Sequence, residues 1–428
     1  MAKALINGHL YQAEGTALYL DEGMIVHIGT DEEIQQYVQA GDEVIDLNGA
    51  YVYPGFSTPH ISLIQCASKS AHAELNSLQD IRALLEQASA SQDLWVRGEG
   101  LDRSLVSSET KMLLDGFRRP VILYGNDHDW CMVNAAALKK ADIDRDTMIP
   151  DGTVSTETGL LEGQAVRVLE NFLPAVSAKE IREQILAAVH QLNKNGFTGA
   201  GSHDFVQGYD WKTVLDGFMR LSYQGALTLR IDEQCLFEIP EELAHFLDEG
   251  YTTDVGDDFF RIGPLYIAEK EENSDVMMEL ANSYNMPALL DTDLLMKELK
   301  DLVLEGNPLG YALNADQCGK TAKHQAVTKN IRMIGSLEVD IDDLTSLLCD
   351  PASDSISKII ADYAARGIQP DRVIGLLSRG SAQFMRREYE LGQIREGFLA
   401  DLCITDHDLE TEYEQAKVIM TFVSGEQV

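Results

Sequence analysis

Ser177-Ala-Lys-Glu-Ile-Arg-Glu-Gln-Ile185-Leu-Ala-Ala-Val189-His-Gln-Leu-Asn-Lys-Asn-Gly196, followed by Phe197-Thr-Gly-Ala-Gly-Ser-His-Asp204, decides the fold. Ser177 and Glu180 have the spacing of a capping box, in which each side chain satisfies the other residue's backbone N–H. Ile181, Ile185, Leu186, Val189 and Leu192 then recur at the helical period. Gly196 ends that helix, and Phe197 to His203 is predicted as a strand. Outward from there the alternation repeats. A helix near 211–222 precedes strand Ala226–Ile231, and strand Phe260–Ile267 leads to a helix at 274–284 and strand Pro287–Leu290. A helix at 293–305 then leads to strand Leu309–Leu313. Strands and helices alternating over short connections mean a parallel sheet. Counting strands near 52–60, 94–98 and 121–125, at least six such units are legible. The pattern predicts an α/β protein with a closed (β/α)8 barrel, an open sheet being the alternative. Polar residues follow several strands: His60, His203, Asp204, Glu269, Asp291, Asn314 and Asp350. In such a barrel the C-terminal strand ends carry the active site, although any one polar residue there is also an ordinary loop start.

Both chain ends read as β. Ala17–Leu20 and Met24–Ile28 flank Asp21-Glu22-Gly23, a hairpin connection with glycine where it is needed. Glu43–Leu47 is a third strand, and Ala400–Ile404 and Lys417–Val423 are two more near the other end. The expected organisation is one small β-sandwich-like domain built from 1–53 and 386–428 around a barrel at 54–385. An insertion at about 66–175, with an amphipathic helix at 78–88, follows the first barrel strand.

Composition narrows the function. The 428 residues carry 34 Lys+Arg against 70 Asp+Glu, a formal net charge of −36, with 45% hydrophobic residues. That suits a large buried core, and repels both a phosphate backbone and an anionic membrane surface. No apolar run is long enough for a membrane span and the first ten residues do not read as a signal peptide, so a cytoplasmic protein is expected. The six cysteines never form Cys-x-x-Cys, which reads as buried reduced thiols rather than a zinc ribbon or disulfide scaffold. Cys318-Gly-Lys-Thr321 lacks the first glycine of a phosphate loop, and Gly199-Ala-Gly201 lacks the third of a dinucleotide fingerprint.

A constellation remains. Pro54-Gly-Phe-Ser-Thr-Pro-His60-Ile-Ser62 follows the β-rich start and resembles the Pro-Gly-Phe-x-Asp-x-His-x-His segment of the amidohydrolase superfamily. Leu94–Asp102, Asn126–Asn134 with Ala137-Leu138, Asn195–Asp204 and Leu391–Leu402 resemble further segments of that superfamily in order, nearest to the N-substituted formamide deformylase-like metal-dependent hydrolases. The resemblance implies the barrel fold and one or two divalent metals held by a His-x-His pair, a carboxylated Lys or Glu, two later His and one Asp. The metal would activate water for attack on a C–N bond. Here His60 is kept. Ser62 stands at the second His, Tyr266 at the Lys, Asp291 and Asn314 at the later His, and Asp350 at the acid. Hydroxyl, phenol and amide groups are poor ligands for a zinc-like ion. What the resemblance leaves is at most one divalent metal, on His60, Asp291 and Asp350, with Asp350 as catalytic general base. Ser62, His128, His203, Asp204, Tyr266 and Asn314 would line the substrate pocket. Two readings follow: a hydrolase of amide, formamide or cyclic-amide C–N bonds in a small molecule, or a catalytically silent homologue that binds a small ligand or partner without the binuclear centre. Oligomerisation with identical chains is left open.

Overall fold

The computed structural model describes residues 2–71, 75–90, 94–125, 129–174, 176–205, 209–237, 239–268, 273–290, 311–314, 332–336 and 344–428. These form two compact units, one of residues 1–64, 182–206 and 211–428, the other of 65–181 and 207–210.

The first unit is built on an eight-stranded parallel sheet: β1 (Phe56–Ile61), β2 (Phe197–Ser202), β3 (Arg230–Cys235), β4 (Phe260–Ile267), β5 (Ala288–Leu290), β6 (Tyr311–Asn314), β7 (Arg332–Gly335) and β8 (Ser346–Leu347), paired in that order. The sheet curls until β8 lies against β1. The decisive helix spans Ala178–Lys194. Its capping box is made, Ser177 N–H donating to Glu180 Oε2 (2.8 Å) and Glu180 N–H to Ser177 Oγ (3.2 Å). Ile181, Ile185, Val189 and Leu192 form its buried face. Gly196 follows with φ +93°, which a side chain resists, and a Cβ there would come within 2.7 Å of Cys403 Sγ.

Two expectations need correction. The strand placed at 226–231 runs over Arg230–Cys235. The strands expected near 94–98 and 121–125 exist as Val96–Gly98 and Val121–Tyr124, but they are not barrel strands. They pair with Trp130–Val133, Leu160–Gly163 and Gly152–Ser155 in a separate sheet of the second unit. In that unit Asn134 ties elements together. Its Oδ1 accepts Val121 N–H (3.0 Å) and Ala137 N–H (2.9 Å), and its Nδ2 donates to Arg119 O (2.8 Å). The helix read at 293–305 lies outside the described residues.

Strands from the two chain ends meet in the first unit. Leu402–Thr405 pairs antiparallel with Tyr51–Pro54 on one side and Val418–Val423 on the other. A second sheet joins Met24–Gly29, Ala17–Asp21, Lys3–Ile6 and Glu43–Asp46. Leu5, Leu18, Ile25, Val52, Leu402, Ile404 and Phe422 share one apolar cluster between them.

Candidate functional site

Parallel strands bring His60 (β1), His203 (just past β2), Gln234 (β3) and Tyr266 (β4) together near the C-terminal end of the sheet. The His60 and His203 rings stack with centroids 4.0 Å apart and planes 11° from parallel. Tyr266 meets His60 edge-on at 4.9 Å and His203 at 5.5 Å. Behind it, Tyr266 packs with Leu289, Ile334, Phe384 and Met385.

Backbone irregularities aim these side chains. Between Ala200 and Ser202 the pairing of β2 with β1 advances from Thr58 to Ile61, so β1 carries an extra residue at Pro59-His60. Between Glu233 and Cys235 the pairing of β3 with β4 advances from Ile262 to Leu265, and the extra residue falls at Gly263-Pro264. Proline cannot donate to a ladder and is tolerated in a central strand only at such bulges, which also re-aim neighbouring side chains. The free Pro59 carbonyl accepts Gln234 Nε2 (2.7 Å), and Gln234 Oε1 lies 2.5 Å from His60 Nδ1. Gly201 makes room for this crossing. A Cβ there would sit 2.5 Å from Gln234 Nε2 and 2.3 Å from Pro59 O.

Beside the imidazoles lies a buried pair of acids. Asp204 Oδ1 accepts Ser62 Oγ (2.8 Å) and Ile64 N–H (2.9 Å), while Oδ2 accepts Leu63 N–H (3.2 Å). Glu233 Oε1 accepts Asp204 N–H (2.7 Å), and Oε2 accepts the Ser202 hydroxyl. Burial pushes both carboxyl groups above their ordinary pKa, and the Asp204 charge pushes Glu233 further. Burial also holds both imidazoles below the usual histidine value; Gln234 opposes this at His60, and the proximity of His60 adds to it at His203. Burial thus favours the neutral form of both rings. His203 Nδ1 is buried and has no hydrogen-bond partner among the described residues.

Of the residues singled out in the sequence, His60, His203 and Tyr266 meet in the ring cluster, and Ser62 and Asp204 meet in the acid network with Glu233. Asn314 is buried at the end of β6. Asp350 is exposed, and its carboxylate accepts Ala352 N–H (3.2 Å) and Ser353 Oγ (3.0 Å) in its own turn. His128, Glu269 and Asp291 lie outside the described residues. Gln234 and Glu233 were missed because the strand carrying them was placed four residues early. Had it been set at 230–235, both would have stood out as polar residues at its C-terminal end.

A metal centre needs convergent donors. Among the described residues no three His, Cys, Asp or Glu side chains are placed to hold an ion. His60 commits Nδ1 to Gln234, and Ser62 gives its hydroxyl to Asp204. These residues do not fit a binuclear centre.

The family model described as "Amidohydrolase family" matches residues 43–304. Among curated relatives, a protein of Bacillus subtilis (strain 168) named as an amidohydrolase, YtcJ, is 32% identical over 231 residues, covering 50% of this chain and 44% of its own. The exoenzymes regulatory protein AepA of Pectobacterium carotovorum subsp. carotovorum is 21% identical over 241 residues, 50% of each chain. The chain thus spans about half the length of the curated relatives it matches. Among solved structures, a metal-dependent hydrolase from Pyrococcus horikoshii OT3 superimposes with TM-score 0.77 at 16% identity, over 97% of this chain and 99% of that one. Guanine deaminase from C. acetobutylicum superimposes with TM-score 0.56 at 10% identity over 100% of both. At these identities the two structures speak for the fold alone.

Proposed function

We propose that this chain, which belongs to the amidohydrolase family, hydrolyses a carbon–nitrogen bond of a small amide, formamide or cyclic amide at the strand-end cluster of His60, His203 and Tyr266. Membership suggests a divalent metal, but the described residues do not supply its ligands, so the chemistry falls to the side chains. The observation that carries the reading is the stacked imidazole pair at the end of the sheet where this fold keeps its catalytic groups. A neutral imidazole takes a proton from water as the water adds to the carbonyl carbon, and returns it to the departing nitrogen, so amide and water become acid and amine. His203, whose Nδ1 has no hydrogen-bond partner among the described residues, is the base in this scheme. General base catalysis of this kind is worth roughly 10²–10⁴-fold, which makes for a slow hydrolase.

A second reading, ligand binding without turnover, is favoured by Ser62 and Tyr266 at implied ligand positions and by the hydrogen bond that ties Ser62 to Asp204. One experiment separates them. Purified protein is incubated with formamide, N-alkylformamides and lactams, with chelator or with added zinc, and amine or ammonia release is followed. Release that survives chelator and falls at least tenfold in His203→Ala supports the proposal. Binding with no release favours the silent reading, and release that needs zinc would show that residues outside the described segments complete a metal centre.

A further inference from the structure

Gln234 belongs to none of the sequence motifs, yet it bridges two strands. Its amide has two ends of opposite character, and the backbone decides which end faces which neighbour. Pro59 O is a carbonyl and only accepts, so the amide nitrogen 2.7 Å away must be the end that faces it. The amide oxygen is then left against His60 Nδ1 at 2.5 Å, and an amide oxygen only accepts. In a neutral imidazole one ring nitrogen carries hydrogen and the other a lone pair. The hydrogen is therefore on Nδ1 and the lone pair on Nε2. The chain of constraint runs from a proline at a β-bulge, through an amide whose space is cleared by Gly201, to the tautomer of a half-buried histidine.

We infer that Gln234 is a positioning residue that fixes His60 as the Nδ1–H tautomer, so that His60 meets its ligand through an Nε2 lone pair and the site takes molecules that offer an N–H donor there. The ligand half of this inference rests on the proposed function, since a primary or secondary amide has such a donor and a tertiary amide has none. The tautomer half stands without it. Partners that fix the orientation of one ring nitrogen and leave the other for chemistry are a recurrent device in histidine sites.

Selective ¹⁵N labelling of histidine, with two-bond ¹H–¹⁵N correlation and His60→Gln for assignment, reads the tautomer directly. In the resting protein, before and after chelator, His60 is expected to show a protonated Nδ1. A protonated Nε2, or fast averaging of the two, overturns the inference, and no variant is needed for that measurement. In Gln234→Met and in Gly201→Ala, whose new Cβ displaces the amide, the same resonances should move towards the averaged position. A fixed Nδ1–H in a folded variant would remove Gln234 from the role. For the ligand half, 2-pyrrolidinone should shift the His60 Nε2 resonance and N-methyl-2-pyrrolidinone should not. An equal shift from both, or from neither, overturns that half. Turnover is not involved, so a silent protein with the expected tautomer leaves the positioning role standing.

Discussion

At the scale of single residues, the buried guanidinium of Arg230 is met by a complete carboxylate partner. Arg230, 2% exposed, donates through Nε and Nη2 to the two carboxylate oxygens of Asp401 at 2.7 and 2.9 Å. Burial alone would lower the guanidinium pKa, and the Asp401 carboxylate, with smaller help from Asp258 and Glu390, more than offsets it. Removing one partner of such a pair strands the other charge, at a cost of about 3–5 kcal/mol. Arg230→Met is therefore expected to lower the unfolding free energy by that amount, seen as a lower denaturant midpoint with an unchanged slope. The double variant with Asp401→Leu should cost less than the sum of the singles; strict additivity would show that the two side chains do not act as a pair. His203 makes the opposite prediction. Among the described residues it has no partner for Nδ1 and no ion pair, so His203→Ala should abolish turnover or weaken ligand binding while costing less than about 1 kcal/mol of stability. A large fall in melting temperature with binding intact would make it a core histidine.

At the scale of elements, the ends of β1, β2 and β3 are held by the two buried acids rather than by apolar packing alone. Asp204 ties β2 to residues 62–64 after β1, and Glu233 ties β3 back to β2. Both groups have folded pKa values raised above the unfolded ones. Their contribution is therefore fully present below the ordinary carboxylate range and is lost as pH rises towards the raised folded values. Measured against Glu233→Gln, the stability of the protein should fall as pH rises between about pH 5 and about pH 9, a comparison that cancels the opposite, rising contribution of His60 and His203. Parallel profiles for the two proteins would mean that Glu233 does not titrate in this window.

At the scale of the whole molecule, the barrel and the strands from the chain ends share one unit. Leu402–Thr405 fills the space between Tyr51–Pro54 and Val418–Val423, and Asp401 beside it holds Arg230. Deleting 390–428 would bare the edge of Tyr51–Pro54 and leave Arg230 buried without its carboxylate, so an aggregated or partly unfolded product is expected. A soluble truncation with a cooperative melt would show that the barrel does not need those strands. Metal should matter less. A full structural zinc site is worth roughly 10–16 kcal/mol in apparent binding energy. Protein purified without added metal is expected to hold well under one equivalent, and chelator should leave its melting temperature unchanged. One or two tightly held ions by elemental analysis would refute this and place ligands in the undescribed segments.

What the sequence determined by itself was whatever depends on local pattern: the capped helix ending at Gly196, the strands at 197–202 and 260–267, the terminal strands, and His60, His203 and Asp204 as strand-end polar residues, while Tyr266 entered only through the family resemblance. Those signals are short-range, because helix caps, apolar period and strand order are written in neighbouring residues. The tertiary structure alone decided β3. Arg-Ile-Asp-Glu-Gln-Cys does not read as a buried strand, yet all six residues are buried. Each polar one finds a distant partner: Arg230 finds Asp401, Asp232 finds Arg261, Glu233 finds Ser202, and Gln234 finds His60. Burial of a charge or amide is favourable only once its partner is in place, and those partners lie between 29 and 174 residues away along the chain. No window on the sequence contains both halves of such a pair. The role of Gln234, and with it the tautomer of His60, therefore became visible only when the strands were laid side by side.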